Sequence, residues 1–291
     1  MTTTTTRLRS GRAGGSRLRP ARVLLYLVLC AGALVTLVPF LWLVRSALME
    51  DAQIFTAPPE WLPAPFAWHN FSDALTARPF GRYFLNTLAI EAVVVPGVLL
   101  VGALSAFTFA RLRWRGRNLV FAILLSSLML PYAVTLVPTF IGWQHLGLVG
   151  TWVPLTLPAW FGAGQMGAIF LMRQFFLSIP RELDDAAYVD GASPFTVFWR
   201  IVLPLSKPVL IVVGIFTFIA VWNDFLNPLI YLADTDRFTL ALGLAGFQGA
   251  YTAQWGYLMA ASTVVIAPII LLFFFAQRHI LEGITLTGLK G

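Results

Sequence analysis

FLNTLAIEAVVVPGVLLVGALSAFTFA (residues 84–110) carries a single charge, Glu91, in 27 residues. A bilayer core takes about 20 mostly apolar residues as a helix, so this stretch is long enough to cross one. Five more runs share its character: residues 23–44, 119–140, 152–172, 209–232 and 257–277, of which only 209–232 holds a charge, Asp224. A membrane β-barrel would instead show alternating segments of roughly 10 residues, and none is visible. The reading is therefore an all-α polytopic membrane protein with six transmembrane helices. Composition agrees. Of 291 residues, 58% are hydrophobic and 11% charged, with a mean hydropathy of +0.78, whereas soluble domains carry roughly 25% charged residues. Cys30 is the one cysteine, which excludes a disulfide framework or cysteine cluster within the chain. In an apolar run it reads as a small buried hydrophobe.

The net charge of +7 raises the question of nucleic acid, and the placement of the charges answers it. Sixteen of the 20 Lys and Arg residues fall on one side of the predicted spans: residues 1–22, the turn at 111–117, the connection at 173–207, and the tail at 278–291. Arg45, Arg78, Arg82 and Arg237 fall on the other. Cytoplasmic connections are the ones enriched in Lys and Arg, so both termini of this multi-pass membrane protein are expected in the cytoplasm. Anionic lipid accounts for the basic balance, and no nucleic-acid-binding signature competes with it. The expected organisation is a disordered basic tail (1–22), a first helix (23–44), an outer loop (45–82), a multi-span core (83–277) and a cytoplasmic tail (278–291). The first apolar run is too long for a cleaved signal peptide, so it is retained as a helix.

The outer loop at 45–82, with Trp61 and Trp68 among prolines, is expected to lie partly along the membrane surface. The outer connection at 233–255 is unusually apolar. Folding back between helices and lying on the surface are both open readings at this stage.

The cytoplasmic connection at 173–207 is far longer than the roughly 2–8 residues usual between helices. Pro180 followed by Glu182, Asp184 and Asp185 suits a helix start. Gly191 ends that helix, and Ser193-Pro194 starts another. The second helix places Phe195, Phe198, Trp199 and Val202 on one face, and Pro204 and Pro208 are expected to end it. Such a helix either lies in the membrane interface or docks in a groove on a cytosolic partner.

Asp185-Ala186-Ala187, three residues, Gly191, nine residues, then Ile201-Val202-Leu203-Pro204 resembles the EAA motif of permease subunits of bacterial ABC importers. The one departure is Asp185 where the family usually has Glu. Trp222-Asn223-Asp224-Phe225, Phe247-Gln248-Gly249, Met259-Ala260-Ala261 and the terminal EGITLTGLKG resemble the maltose-type carbohydrate permeases, in particular the smaller of their two permease subunits. The resemblance implies a type I ABC importer permease architecture with a coupling-helix loop. It implies a second permease subunit, two cytoplasmic ATP-binding-cassette subunits and an extracytoplasmic solute-binding protein as partners. It also implies import of a sugar or related polyhydroxy solute by alternating access, across the bacterial cytoplasmic (inner) membrane. Asp185, Ala186, Ala187, Gly191, Phe195, Phe198, Trp199, Ile201, Leu203 and Pro204 would then couple to the ATPase, with the tail at 285–291 as a lesser contact.

The chain has two lysines, and neither sits in the G-x-x-x-x-G-K-[ST] frame of a P-loop. ATP and Mg are accordingly expected on the partner ATPase, with no cofactor bound by this chain. Asn223, Asp224 and Asn227 cluster in the fifth run, where intramembrane polar groups are costly and point to function. They serve either a helix–helix contact or the solute pathway. Glu91 is expected to be a paired structural carboxylate. The prolines and glycines of the fourth run fit a cavity lining or close packing equally. An ion-coupled secondary transporter is the alternative; it would leave the loop motif without a purpose. A hydrolase is remote, because His69, His145 and His279 have no G-x-S-x-G partner.

Overall fold

The computed structural model describes residues 20–162, 164–249 and 253–288, with side chains from Arg22 to Gln277 within those ranges. The predicted tail at 1–22 lies almost wholly outside them, as do residues 289–291. Among the described residues one antiparallel bridge, Gln248 to Ala253, is the whole of the β structure. The helices in chain order are α1 Pro20–Ala47, α2 Asp51–Ile54, α3 His69–Ala77, α4 Phe80–Ala110, α5 Arg117–Ser126, α6 Tyr132–His145, α7 Val153–Phe161, α8 Gln165–Ser178 and α9 Glu182–Val189. They continue as α10 Pro194–Leu205, α11 Lys207–Trp222, α12 Leu226–Tyr231, α13 Leu240–Ala245 and α14 Trp255–Gly288.

Four stretches are long and apolar enough to cross a membrane without a sharp bend: Arg22–Ala47, Phe80–Ala110, Val153–Ser178 and Trp255–Gln277. Two further pairs qualify together but are bent, Arg117–Met129 with Tyr132–His145 by 100°, and Pro194–Leu205 with Lys207–Trp222 by 76°. Counting each pair once gives six, as expected, but the third and fifth runs are not single helices. In the third, Pro131 has no N–H to continue the ladder and holds Leu130 in an extended conformation. In the fifth, the helix stops at Trp222 and restarts at Leu226. Pro204 does not end α10, which runs on to Leu205; Pro208 instead enters the first turn of α11.

Helix α4 is the hub, packed against α7, α8, α11 and α13. Its small residues, among them Gly102, Ala103, Ala106 and Ala110, let neighbouring backbones approach. A Cβ on Gly102 would stand 2.8 Å from the Gln165 amide nitrogen, which donates to the Val98 carbonyl at 2.8 Å. The glycines that permit this close packing, Gly97 against Trp160 and Gly102 against Gln165, belong to α4; in the fourth span itself, Gly164 and Gly167 have open space where a Cβ would stand, and Gly162 meets only the Pro158 backbone of its own span. One apolar core joins α4, α8, α10 and α11 through Val98, Phe107, Met172, Phe176, Phe198 and Val202. A second gathers Phe80, Tyr83, Trp222, Leu240, Phe247 and Leu258 at the other end.

The connection at 233–255 folds back. Leu240, Leu242 and Phe247 are buried, the Thr87 hydroxyl accepts the Leu240 N–H at 3.0 Å, and the Asn86 amide donates to the Asp236 and Phe238 carbonyls at 2.8 and 2.9 Å. In the first outer loop, Trp61 and Trp68 are exposed while Met49, Ile54 and Ala74 are buried. Two expectations are corrected. Cys30 is exposed, because α1 packs chiefly along α14 and touches the first outer loop only near its C-terminal end, through Trp42, Arg45 and Ala47. Glu91 is buried, yet no donor among the described residues reaches either carboxyl oxygen; the Thr87 hydroxyl, one turn earlier on α4, is donated to the Tyr83 carbonyl instead.

A Cβ on Gly243 would stand 2.4 Å from the ring of Tyr83, which is itself fully buried. Gly243→Val should therefore overpack the α13–α4 contact by about 1–3 kcal/mol. Thermal unfolding of the detergent-purified transporter checks this; an unchanged midpoint contradicts the packing described.

Candidate functional site

The connection between α8 and α11 forms two short helices joined at Gly191. That residue has φ of +82°, in the left-handed region where an L side chain is strained. Ala192 then leads into Ser193, whose hydroxyl accepts the Thr196 N–H at 3.2 Å and caps α10. Pro194 occupies the first turn.

The loop has an inner and an outer face. On the inner face, Phe198 and Val202 belong to the core, with the Phe198 ring 5.3 Å from Phe107 of α4. Ala187, Ile201 and Leu203 are half-buried. On the outer face, Asp185, Ala186, Phe195, Trp199 and Pro204 are exposed, and Phe195 and Trp199 stack edge to face at 5.9 Å. The expectation that Phe195, Phe198, Trp199 and Val202 share one face is therefore corrected. Residues Phe198–Val202 form a π-helical turn, which holds more residues per turn than an α-helix. The apolar stripe splits, and Phe198 and Val202 turn inward while Phe195 and Trp199 remain outside.

A residue that the sequence reading passed over locks the inner face. Asp184, not Asp185, is buried, and it pairs with Arg111 at 3.3 Å. Arg111 also donates to the Ile179 carbonyl at 2.9 Å. Burial pushes the Asp184 carboxyl up from its ordinary range, and Arg111 opposes that shift. Burial likewise lowers the Arg111 guanidinium, and Asp184 opposes it. The pair is thus held by mutual need: either charge alone would sit unsolvated. In the sequence, three acids at a helix start read as dipole partners. The signal was Arg111 itself, the first charge after a 31-residue apolar helix.

The break between α11 and α12 holds the second cluster. Asp224 accepts the Asn227 N–H at 3.2 Å and the Asn227 amide at 2.8 Å. Asn227 accepts the Tyr132 hydroxyl at 2.5 Å, so the polar chain joins the two broken spans. Asn223 stands apart, exposed, with its amide donating to the Ile219 carbonyl at 2.8 Å. Its side-chain carbonyl has no partner among the described residues.

Comparison with known proteins places the chain in a family. Residues 98–285 match the family described as "Binding-protein-dependent transport system inner membrane component". The diacetylchitobiose uptake system permease protein NgcG of Streptomyces coelicolor is 30% identical over 94% of this chain and 91% of its own length. The sn-glycerol-3-phosphate transport system permease protein UgpE of Yersinia pestis is 35% identical over 89% of this chain and 94% of its own. The crystal structure of a bacterial ABC transporter importing the acidic polysaccharide alginate contains a chain that superposes with a TM-score of 0.76. That chain is 21% identical, and the match covers 94% of the chain described here and 99% of the other. This protein belongs to the binding-protein-dependent transport family and is a membrane-embedded permease subunit of an ABC importer.

Proposed function

We propose that the chain is one of two unlike permease halves of a carbohydrate importer, with both termini in the cytoplasm. Two ATP-binding-cassette subunits would supply the energy and an extracytoplasmic binding protein the solute. The observation that carries this reading is the exposed Phe195–Trp199 pair on a helix whose reverse side is seated in the core. An interfacial helix would need lipid beneath it; this one already has α4 there, so its outer aromatic pair is free for a protein groove. With no P-loop in the chain, hydrolysis of ATP with its Mg falls to the partner. The other half has a place to pack: α6 buries none of its own residues within this chain. The charge bias and the family resemblance support the orientation and the sugar class. The identified relatives include a disaccharide permease and a glycerol-phosphate permease, so a polyhydroxy solute is the shared chemistry.

In the mechanism, closure of the ATPases displaces the loop helices. The Arg111–Asp184 pair and the Phe107–Phe198 contact pass that displacement to α4, while α10 leads through its 76° bend into α11. The spans then rock between inward- and outward-open states. Asn223, at the break of the fifth span, offers a free carbonyl oxygen to a solute hydroxyl. Asp224 and Asn227 bond to each other and hold the two helix ends in register.

Three outcomes test this. Gly191→Pro, which cannot adopt the positive φ, and Asp185→Lys should abolish solute uptake by vesicles holding the full transporter, with normal membrane levels; full uptake in both removes the loop from the mechanism. Asp184→Ala leaves Arg111 buried and unpaired, a loss of about 3–5 kcal/mol for such pairs. ATPase activity should then cease to respond to the solute-loaded binding protein, whereas a normal response would show that the pair transmits nothing. Asn223→Leu should raise the KM for uptake about tenfold, the value of one hydrogen bond; unchanged kinetics would place Asn223 outside the pathway.

A further inference from the structure

Beneath the turn that follows α4 lies a cavity of about 440 Å³ lined by Arg113, Trp114, Gly116, Arg117, Asn118, Leu119 and Arg181. Three arginines face it and no carboxylate does. Among the described residues none of the three forms an ion pair with an acidic side chain. The only acid buried nearby, Asp184, is already committed to Arg111. Two of the three are nonetheless oriented. Arg117 donates to the Leu112 carbonyl at 2.9 Å, and Arg181 reaches the Ala110 carbonyl at 3.4 Å. These bonds hold the planes in place and leave other N–H groups of each fork unused. Asn118 and Leu119 belong to the first turn of α5, where backbone N–H groups have no intrahelical acceptor.

The surroundings distinguish a lipid from a small free anion. Trp114, half-exposed at the rim, is the residue type that settles at headgroup level. From the cavity an uncovered apolar strip runs down α5 through Leu119, Val120, Ile123 and Leu124, which fits acyl chains hanging from a headgroup held above them. A free phosphate would have no use for that strip.

We propose that this cavity binds the phosphate of an anionic phospholipid, with the acyl chains against α5. The site would fix the turn between α4 and α5 at the membrane surface, beside the ion pair that anchors the first loop helix. The inference rests on the cytoplasmic placement of the loop end given above, and its readout is lipid binding, which is measured apart from uptake.

The test uses the assembled transporter with its partner permease and ATPases, analysed by native mass spectrometry in detergent with added phosphatidylglycerol or phosphatidylcholine. Wild type should retain phosphatidylglycerol and not phosphatidylcholine. Arg113→Gln with Arg117→Gln should weaken retention about thirtyfold, from about 1 kcal/mol per arginine near an anionic surface. Arg113→Gln alone, which leaves the Arg117 turn bond intact, should weaken it about fivefold, and Arg113→Lys should restore most of it. Retention equal in wild type and both Gln variants would overturn the proposal. So would displacement of the lipid by millimolar inorganic phosphate, which marks a free-anion site. Loss of the ATPase subunits from the Gln variants with lipid retention intact would also overturn it, since the arginines would then be a protein contact. If transport itself failed in the wild-type preparation, the transport reading would fall while the lipid result stood.

Discussion

The buried pair of Arg111 and Asp184 is the constraint on which the loop's usefulness depends. It joins the end of the central helix to the first helix of the connection, with both charges removed from water. A buried pair of this kind adds little net stability compared with well-packed apolar groups. What it supplies is specificity of placement, since neither charge tolerates any other arrangement. Around it, Arg111 holds the Ile179 carbonyl and Phe198 seats α10 against Phe107. The connection is consequently a bracket with one stiff face inward and one bare face outward.

The second constraint is the hydrocarbon itself, which offers no partner to a loose backbone group. The two broken spans meet it differently. At Pro131 the missing N–H is proline's own, and the 3₁₀ turn at Ser127–Met129 gives the Ser127 carbonyl, four residues before it, to the Leu130 N–H. At residues 223–225 the chain spends side chains instead. Asn223 returns its amide to Ile219, and Asp224 takes the N–H of Asn227. The Tyr132 hydroxyl then closes the chain of bonds from the other broken span. The polar residues most visible in the fifth run are therefore in part the means by which that run is interrupted. Asn223 is left with an acceptor to spare.

What could be read in the sequence follows from these constraints. Span number was legible because bilayer thickness acts on composition alone. The loop motif was legible because its spacing is long and fixed. The breaks were not, since proline in an apolar run is equally compatible with a kinked helix and a stopped one. The inward turn of Phe198 and Val202 was hidden by the π-helical turn, which shifts register in a way that a 3.6-residue period cannot show. Asp184 was hidden for another reason: its partner is distant in sequence, and three neighbouring acids were explained as readily by a helix dipole. Glu91 is the inverse case. Its pairing was expected on general grounds, and within the described residues it has none.

These features bear on how a displacement at the bare face reaches the spans. An exposed aromatic pair on a freely hinged helix would absorb a push locally. Here the hinge, Gly191, lies between the two loop helices, while each helix is separately tied to the bundle: α9 through Asp184 to α4, and α10 through Phe198 to α4 and through Ser206 into α11. A force on Phe195 and Trp199 therefore has two outlets, one into the hub and one into the span that is interrupted at Asn223. Both outlets act on helices that already contain a break or a close packing contact. Packed elements of this kind switch between discrete arrangements rather than bend continuously, so under the proposed coupling a small movement of the bracket would change which side of the bundle is open.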